Sequence, residues 1–174
     1  SHPDFFAFTI LDSLLAGPSS LNMFGSGSVS NRTSRLYHAL VETELAVSIG
    51  GGLTASIDPG AYNLHLAVRP DQEIKTVVNT LFAEIERVQS ALVSSDEIAK
   101  AVKQAKALFA YGSDNITNQA FWLCYANSFA DYPWFENYVP RLEEVTPQDV
   151  LRVAQKYLNL NHAVTGVLHP NGSE

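Results

Sequence analysis

Histidine is the side chain best suited to acid–base or metal chemistry near neutral pH, and five are present: His2, His38, His65, His162 and His169. A histidine does such work only beside an oriented partner or a second ligand. No two stand at a ligand spacing, and neither His-Glu-x-x-His nor His-x-x-Glu-His occurs. His65 falls on the polar side of a predicted strand, His38 in mid-helix, and His162 and His169 at the two ends of another strand. Each reads as a surface or hydrogen-bonded residue. A nucleophile elbow, Gly-x-Ser-x-Gly, and a Ser-x-x-Lys pair are both absent. Gly25-Ser26-Gly27-Ser28 lacks the Gly-Lys-Ser/Thr ending of a phosphate loop. The neighbouring carboxylates Glu84 with Glu86, and Glu143 with Glu144, read as solvated helix surface and not as an acid/base pair. Cys124 is the one cysteine, which excludes an internal disulfide and a multi-cysteine metal site. Its apolar setting, Phe121-Trp122-Leu123-Cys124-Tyr125, reads as a buried, inert thiol. Of three Asn-x-Ser/Thr triplets, Asn31 and Asn115 read as helix caps and Asn171 lies in the tail. From its residues the chain has no self-sufficient active site: no catalytic, cofactor-binding or metal-binding residue is assigned.

The bulk properties agree. Eighteen Asp and Glu against 11 Lys and Arg give a net charge of −7 over 174 residues. Nucleic-acid binding needs a basic face to displace phosphate counterions, so that class is excluded. At 46% hydrophobic and 17% charged residues the chain folds around a core and forms about one domain. No run reaches the ~20 apolar residues of a membrane-spanning helix, and the apolar start lacks the basic residues of a signal peptide.

These residues are carried on a readable series of elements. A first helix over residues 4–16 is apolar nearly all round, which requires packing on more than one side. Residues 18–30 read as a flexible loop, and a second helix covers 31–43. The period then changes to two. Residues 45–57 form a strand with Leu45, Val47 and Ile49 inward, and the triplet Gly50-Gly51-Gly52 marks a bulge or a close backbone approach. Asp58-Pro59-Gly60 turns the chain into a second strand, 61–69. Apolar residues then recur at three and four through 71–92, with Asp71 as cap. Ser94-x-x-Glu97 is a capping box for a helix over 95–111. A further helix spans 116–130, a short one lies within 134–141, and Thr146-Pro147 opens another. Residues 162–169 predict a final strand in the same sheet. The expected fold class is α+β: a two-layer sandwich of mostly antiparallel sheet covered by helices.

Several motifs in order resemble one family. Leu15-Ala16-Gly17, Arg32-Thr33-Ser34-Arg35-Leu36-Tyr37-x-x-Leu40, Leu45-Ala46-Val47-Ser48, Asp58-Pro59-Gly60, Ser94-Ser95-Asp96-Glu97-Ile98 and Val145-Thr146-Pro147-Gln148-Asp149-Val150 are similar to the pitrilysin/insulinase (inverzincin) zinc metallopeptidases, which include the mitochondrial processing peptidases. The resemblance spans residues 5–170. It implies homologous α+β domains facing each other around a peptide chamber, with zinc held by the N-terminal domain. Residues 1–174 resemble the C-terminal, non-zinc domain, starting at its first helix without the strands expected before it. The implied role is non-catalytic: half of the peptide-binding chamber of a zinc-dependent peptidase. A structural core subunit and a peptide-binding module without proteolysis are the alternatives. The implied partners are its own N-terminal domain or a homologous subunit, and a polypeptide substrate. As a fragment it is expected to self-associate through an uncovered sheet edge and through Phe5, Phe6 and Phe8. A bacterial cytoplasm or periplasm is the implied compartment. The family's C-terminal domain often carries an Arg and a Tyr that hold the substrate backbone. Val41 and Val47 occupy the matching positions, with one residue fewer between them, so the resemblance implies that this pair is lost, with Tyr62 or Arg69 as the candidate substitutes. Arg35 matches a separate motif whose arginine is structural.

Overall fold

The computed structural model describes residues 2–18, 31–54, 58, 60–112 and 114–169. The 18–30 loop, apart from Pro18, and the turn's Pro59 lie outside the described residues, as do 55–57 of the expected first strand.

The fold is a mostly helical α+β domain. Helix α1 (Phe5–Leu15) runs through its centre, with Ile10, Leu11, Asp12, Leu14 and Leu15 all buried. It packs on α3 (Ser95–Gly112), α6 (Tyr138–Glu143) and α7 (Pro147–Tyr157), as its all-round apolar sequence requires. Phe6 is buried and Phe5 and Phe8 are partly covered, so this end of the helix is not left bare. Asp4 caps no helix. Its carboxylate accepts hydrogen bonds from Lys156 (2.8 Å), Tyr157 (2.7 Å) and Arg152, fastening the start of α1 to α7.

The Ser94 capping box falls where expected. The Ser94 N–H donates to Glu97 Oε2 at 3.0 Å while the Glu97 N–H donates to Ser94 Oγ at 3.2 Å. Thr146 and Asp149 make the same exchange at the start of α7. Asn115 caps α4 (Ile116–Phe129) through the Asn118 N–H. Arg35 donates twice to Glu97, tying the helix-opening motif to α3, the structural part expected of it.

The sheet is smaller than expected. Among the described residues it has two strands, β1 (Ala46–Gly52) and β2 (Asn63–Val68), paired antiparallel. The expectation of a mostly antiparallel sheet covered by helices is therefore corrected to helices around one hairpin. Residues 163–169 do not join it: a 3-10 turn at Leu160–His162 leads into an exposed segment that forms no ladder among the described residues.

Smaller expectations also change. Helix α2 (Ile74–Ser90) has Glu73 at its N-cap, and Asp71 pairs instead with Arg69, two residues before it. Asn31 does not cap a helix with its side chain but donates to the Ile49 carbonyl at 2.9 Å. Residues 134–141 form parts of two short helices, α5 (Tyr132–Glu136) and α6. Cys124 is exposed, because Trp122 and Ala126 face the core and a residue midway between them points about 200° away around the helix. Glu84 is buried and paired with Arg87, since it shares the stripe of Val77, Leu81 and Val88.

The glycine triplet makes the close approach its sequence suggests. At Gly52 (φ +130°) a Cβ would lie 2.5 Å from Asp12 Oδ1, and at Gly51 (φ +102°) 2.2 Å from the Asn63 carbonyl oxygen. Replacing Gly52 by Ala should therefore destabilise the fold by about 2–4 kcal/mol, combining backbone strain with a clash against a buried group. Thermal unfolding of Gly52→Ala beside Gly50→Ala, where a Cβ meets nothing within 4 Å, checks this: only the first should lower Tm by roughly 5–15 °C.

The fastening of α1 makes stability depend on acid. The Lys156 ammonium, with the Tyr157 hydroxyl and Arg152 guanidinium, holds Asp4 well below its ordinary value of 3.8 against the opposing effect of burial. A depressed carboxylate contributes fully above its unfolded value and loses that contribution as pH falls through its folded value. Urea unfolding should show stability falling below about pH 4. Asp4→Asn should lower stability at pH 7 and flatten that acid limb.

Candidate functional site

The positions singled out by the sequence, Val41 and Val47, bracket three consecutive departures from regular backbone. The helix entering from Ser34 widens into a π turn at Tyr37–Val41, where the Glu42 N–H donates to the Tyr37 carbonyl at 3.1 Å. A π turn carries one more residue per hydrogen-bonded ring than an α turn and is often found where function re-aims a side chain. Val41 ends it, partly buried against the core. Glu44 follows at φ +62°, a left-handed conformation for a side chain that gains nothing from it locally. The chain then enters β1, where Ala46 pairs with Val68 but Ser48 pairs with Ala67. Val47 is the extra residue of a β-bulge.

That bulge corrects the expected face of the strand. Uninterrupted alternation would turn Val47 inward with Leu45 and Ile49. Instead Ala46 and Ile49 are buried, and Val47 is 63% exposed. One inserted residue shifts the phase, because side chains in a strand alternate with period two. Sequence alone gave no bulge signal here: the glycines that suggested one lie three residues on.

The candidate substitutes are engaged elsewhere. The Tyr62 hydroxyl donates to Asp12 Oδ1 at 2.9 Å, and burial, together with the Asp12 charge, pushes its pKa well above its ordinary value. Arg69 sits at the end of β2, paired with Asp71 at 3.4 Å.

The histidines remain dispersed. His2 lies 3.9 Å from Asp4, His38 pairs with Glu42 at 2.6 Å on the exposed side of the π turn, and His65 stands exposed opposite Gly50 in the hairpin. His162 and His169 flank the exposed segment after α7. Among the described residues no group of three or more His, Cys, Asp or Glu is placed to hold a metal ion, so these side chains do not fit a zinc site. Glu143 pairs with Lys106. No helix among the described residues is long and apolar enough to cross a membrane.

The left-handed residue gives a direct test of the loop. A non-glycine residue in this conformation costs roughly 1–2 kcal/mol, and glycine loses part of that benefit through its larger unfolded-state entropy. Glu44→Gly should stabilise the chain by about 0.5–1 kcal/mol, read as a higher urea midpoint with an unchanged slope.

Comparison with known proteins places this geometry. The peptidase M16 inactive domain matches residues 1–105. The chain is similar to a "putative zinc protease" from Bordetella pertussis Tohama I, with 26% identity and a TM-score of 0.71 over 92% of this chain and 82% of that one. It is equally similar to the inactive peptidase domain of a protein described the same way from Bordetella parapertussis, with 26% identity and a TM-score of 0.71 over 92% of this chain and 81% of that one. A protease from Helicobacter pylori shares the fold at 18% identity, with a TM-score of 0.77 over 91% of this chain and 36% of that chain. A search of curated protein sequences returned no match. With more than half of its length matched by the family, this chain belongs to the peptidase M16 inactive domain family.

Proposed function

We propose that this domain forms one wall of the peptide-binding chamber of a zinc-dependent peptidase, and that it lacks the groups which would orient substrate in that chamber. The carrying observation is Val47, held 63% exposed on a bulge, at a position that the family resemblance matches to a substrate-holding side chain. A bulge beside an active site re-aims a side chain. Here the side chain presented can only pack. Val41, partly buried at the end of the π turn, offers no donor either.

The consequence is kinetic. An oriented donor aimed at the charge that develops on the substrate oxygen contributes ~10²–10³ in rate. On this reading a protein containing this domain binds peptide but cleaves it slowly alone, and a homologous subunit bearing the Arg/Tyr pair restores turnover. Zinc would sit on the facing N-terminal domain, since the described side chains of this chain do not fit it.

The test is peptide cleavage by the full-length protein alone, with a homologous subunit from the same genome, and as the double variant Val41→Arg, Val47→Tyr. Turnover should be slow alone and faster with the subunit. In the variant kcat/KM should rise by about tenfold or more, short of the full effect of an oriented donor. Rapid turnover by the unmodified single chain, unchanged by the subunit, would overturn the proposal.

A further inference from the structure

Helix α4 carries apolar residues on more than one side, and only one side is covered. Trp122 and Ala126 are buried, and the Trp122 ring lies 6.3 Å from that of Phe109 on α3. About 100° round the helix from that face runs a stripe of Ile116, Ala120 and Leu123. All three are exposed, Ile116 to 82%. A helix that is apolar on several sides packs on several sides. Helix α1 does so within the domain and α4 does not. The helix packs chiefly on α5, and neither strand of the hairpin is among its main neighbours. The open stripe therefore belongs to the helical layer and not to the sheet.

Three features select a second copy of this chain as the occupant. The stripe is self-complementary: with a two-fold axis between Gln119 and Ala120, an antiparallel copy sets each Ile116 opposite the partner copy's Leu123. An isologous contact requires this. The small Ala120 then falls beside the axis, where a short side chain lets two helices approach closely. Charge makes the second argument. Residues 115–130 carry no charged side chain in a chain of net charge −7. Two copies repel over much of their surface, but they meet here without like-charge opposition. Third, an antiparallel pair places the N-terminal end of each helix beside the C-terminal end of the other, so the two helix dipoles attract.

We propose that α4 packs antiparallel on α4 of a second copy along Ile116, Ala120 and Leu123, making a two-fold helix pair between two M16 inactive domains. One face of a 14-residue helix is smaller than the roughly 800 Å² that each partner buries in a standard interface. The association is therefore weak and depends on concentration. An apolar surface of a different polypeptide is the competing occupant.

The experiment uses the 174-residue chain in sedimentation equilibrium across a concentration series, where dimer should form as concentration rises. Ala120→Glu and Ala120→Lys change an exposed side chain to another good helix former, so both should keep the wild-type helical signal and Tm. Each alone should lose the dimer, because like charges meet at the axis, and their mixture should form a heterodimer. Oxidative cross-linking reads the register. The two copies of Cys124 stand roughly 13 Å apart along the paired helices, beyond the ~7 Å between Cα atoms that a disulfide spans. The wild-type dimer should therefore not cross-link, whereas the double variant Ala120→Cys, Cys124→Ser should. A wild-type chain that stays monomeric at every concentration would overturn the proposal and leave the stripe to a different polypeptide. A dimer that survives in both Ala120 variants, a mixture that stays monomeric, or a wild-type dimer cross-linked through Cys124 would refute the pairing as well.

Discussion

The buried carboxylate of Asp12 is the constraint on which the rest of the architecture depends. It lies at the centre of α1 with no exposed surface. A carboxylate taken out of water is costly unless donors replace the lost hydration. The Tyr62 hydroxyl is one such donor, reaching in from the start of the hairpin's second arm. For that arm to come so close, the end of β1 must pass over Asp12 without a side chain, and Gly52 is the residue that does so. The two-stranded sheet, too small to stand alone, is thus tied to the central helix at one polar point and by packing of Ile49, Leu64 and Leu66 on the core.

The other end of the hairpin is organised by irregularity. A π turn, a left-handed Glu44 and a bulge at Val47 follow within eleven residues of Tyr37. Each inserts or redirects backbone where a regular helix-to-strand connection would be cheaper. Their joint effect is to hold Val41 against the core and turn Val47 to solvent. Backbone of this kind persists only where the surroundings over-determine it. Here they do: Leu36, Leu40 and Ala46 are fully or nearly fully buried on either side.

Local signals were legible and long-range ones were not. The capping box at Ser94, the cap at Thr146 and the 3.6-residue stripe of α2 involve neighbours in sequence, and all lie where the pattern puts them. The hairpin was legible from alternation, but the phase slip at Val47 was not, because a bulge depends on which residue of β2 stands opposite. Residues 162–169 have strand-forming side chains, yet a strand also needs a partner, and composition does not report one. Cys124 and Glu84 were misplaced for one reason: apolar or charged character was weighed above angular position, and on a helix the angle to Trp122 or Leu81 decides burial. The candidate site was legible only through motif order. Val41 and Val47 carry no chemical signature of their own.

The perturbed ionisable groups make the same distinction between a scaffold and a reaction centre. Shifted pKa values cluster at active sites, but structural ion pairs shift them too. Among the described residues each shift has a fastening partner or a packing cause. Lys156, Tyr157 and Arg152 depress Asp4 while joining α1 to α7. The Thr146 hydroxyl depresses Asp149 within a capping box. Burial raises Glu97, and its bonds to Ser94 and Arg35 outweigh it. Burial raises Tyr62 and Tyr138, the first bound to Asp12 and the second packed among Phe6, Phe109 and Trp134. A general acid or base needs a pKa near the working pH and an open approach for substrate. The carboxylates here move away from neutrality and the tyrosines rise further above it, so both kinds of shift hold a proton state fixed. That is the electrostatic pattern of polar groups that maintain shape, in a chain that belongs to the peptidase M16 inactive domain family.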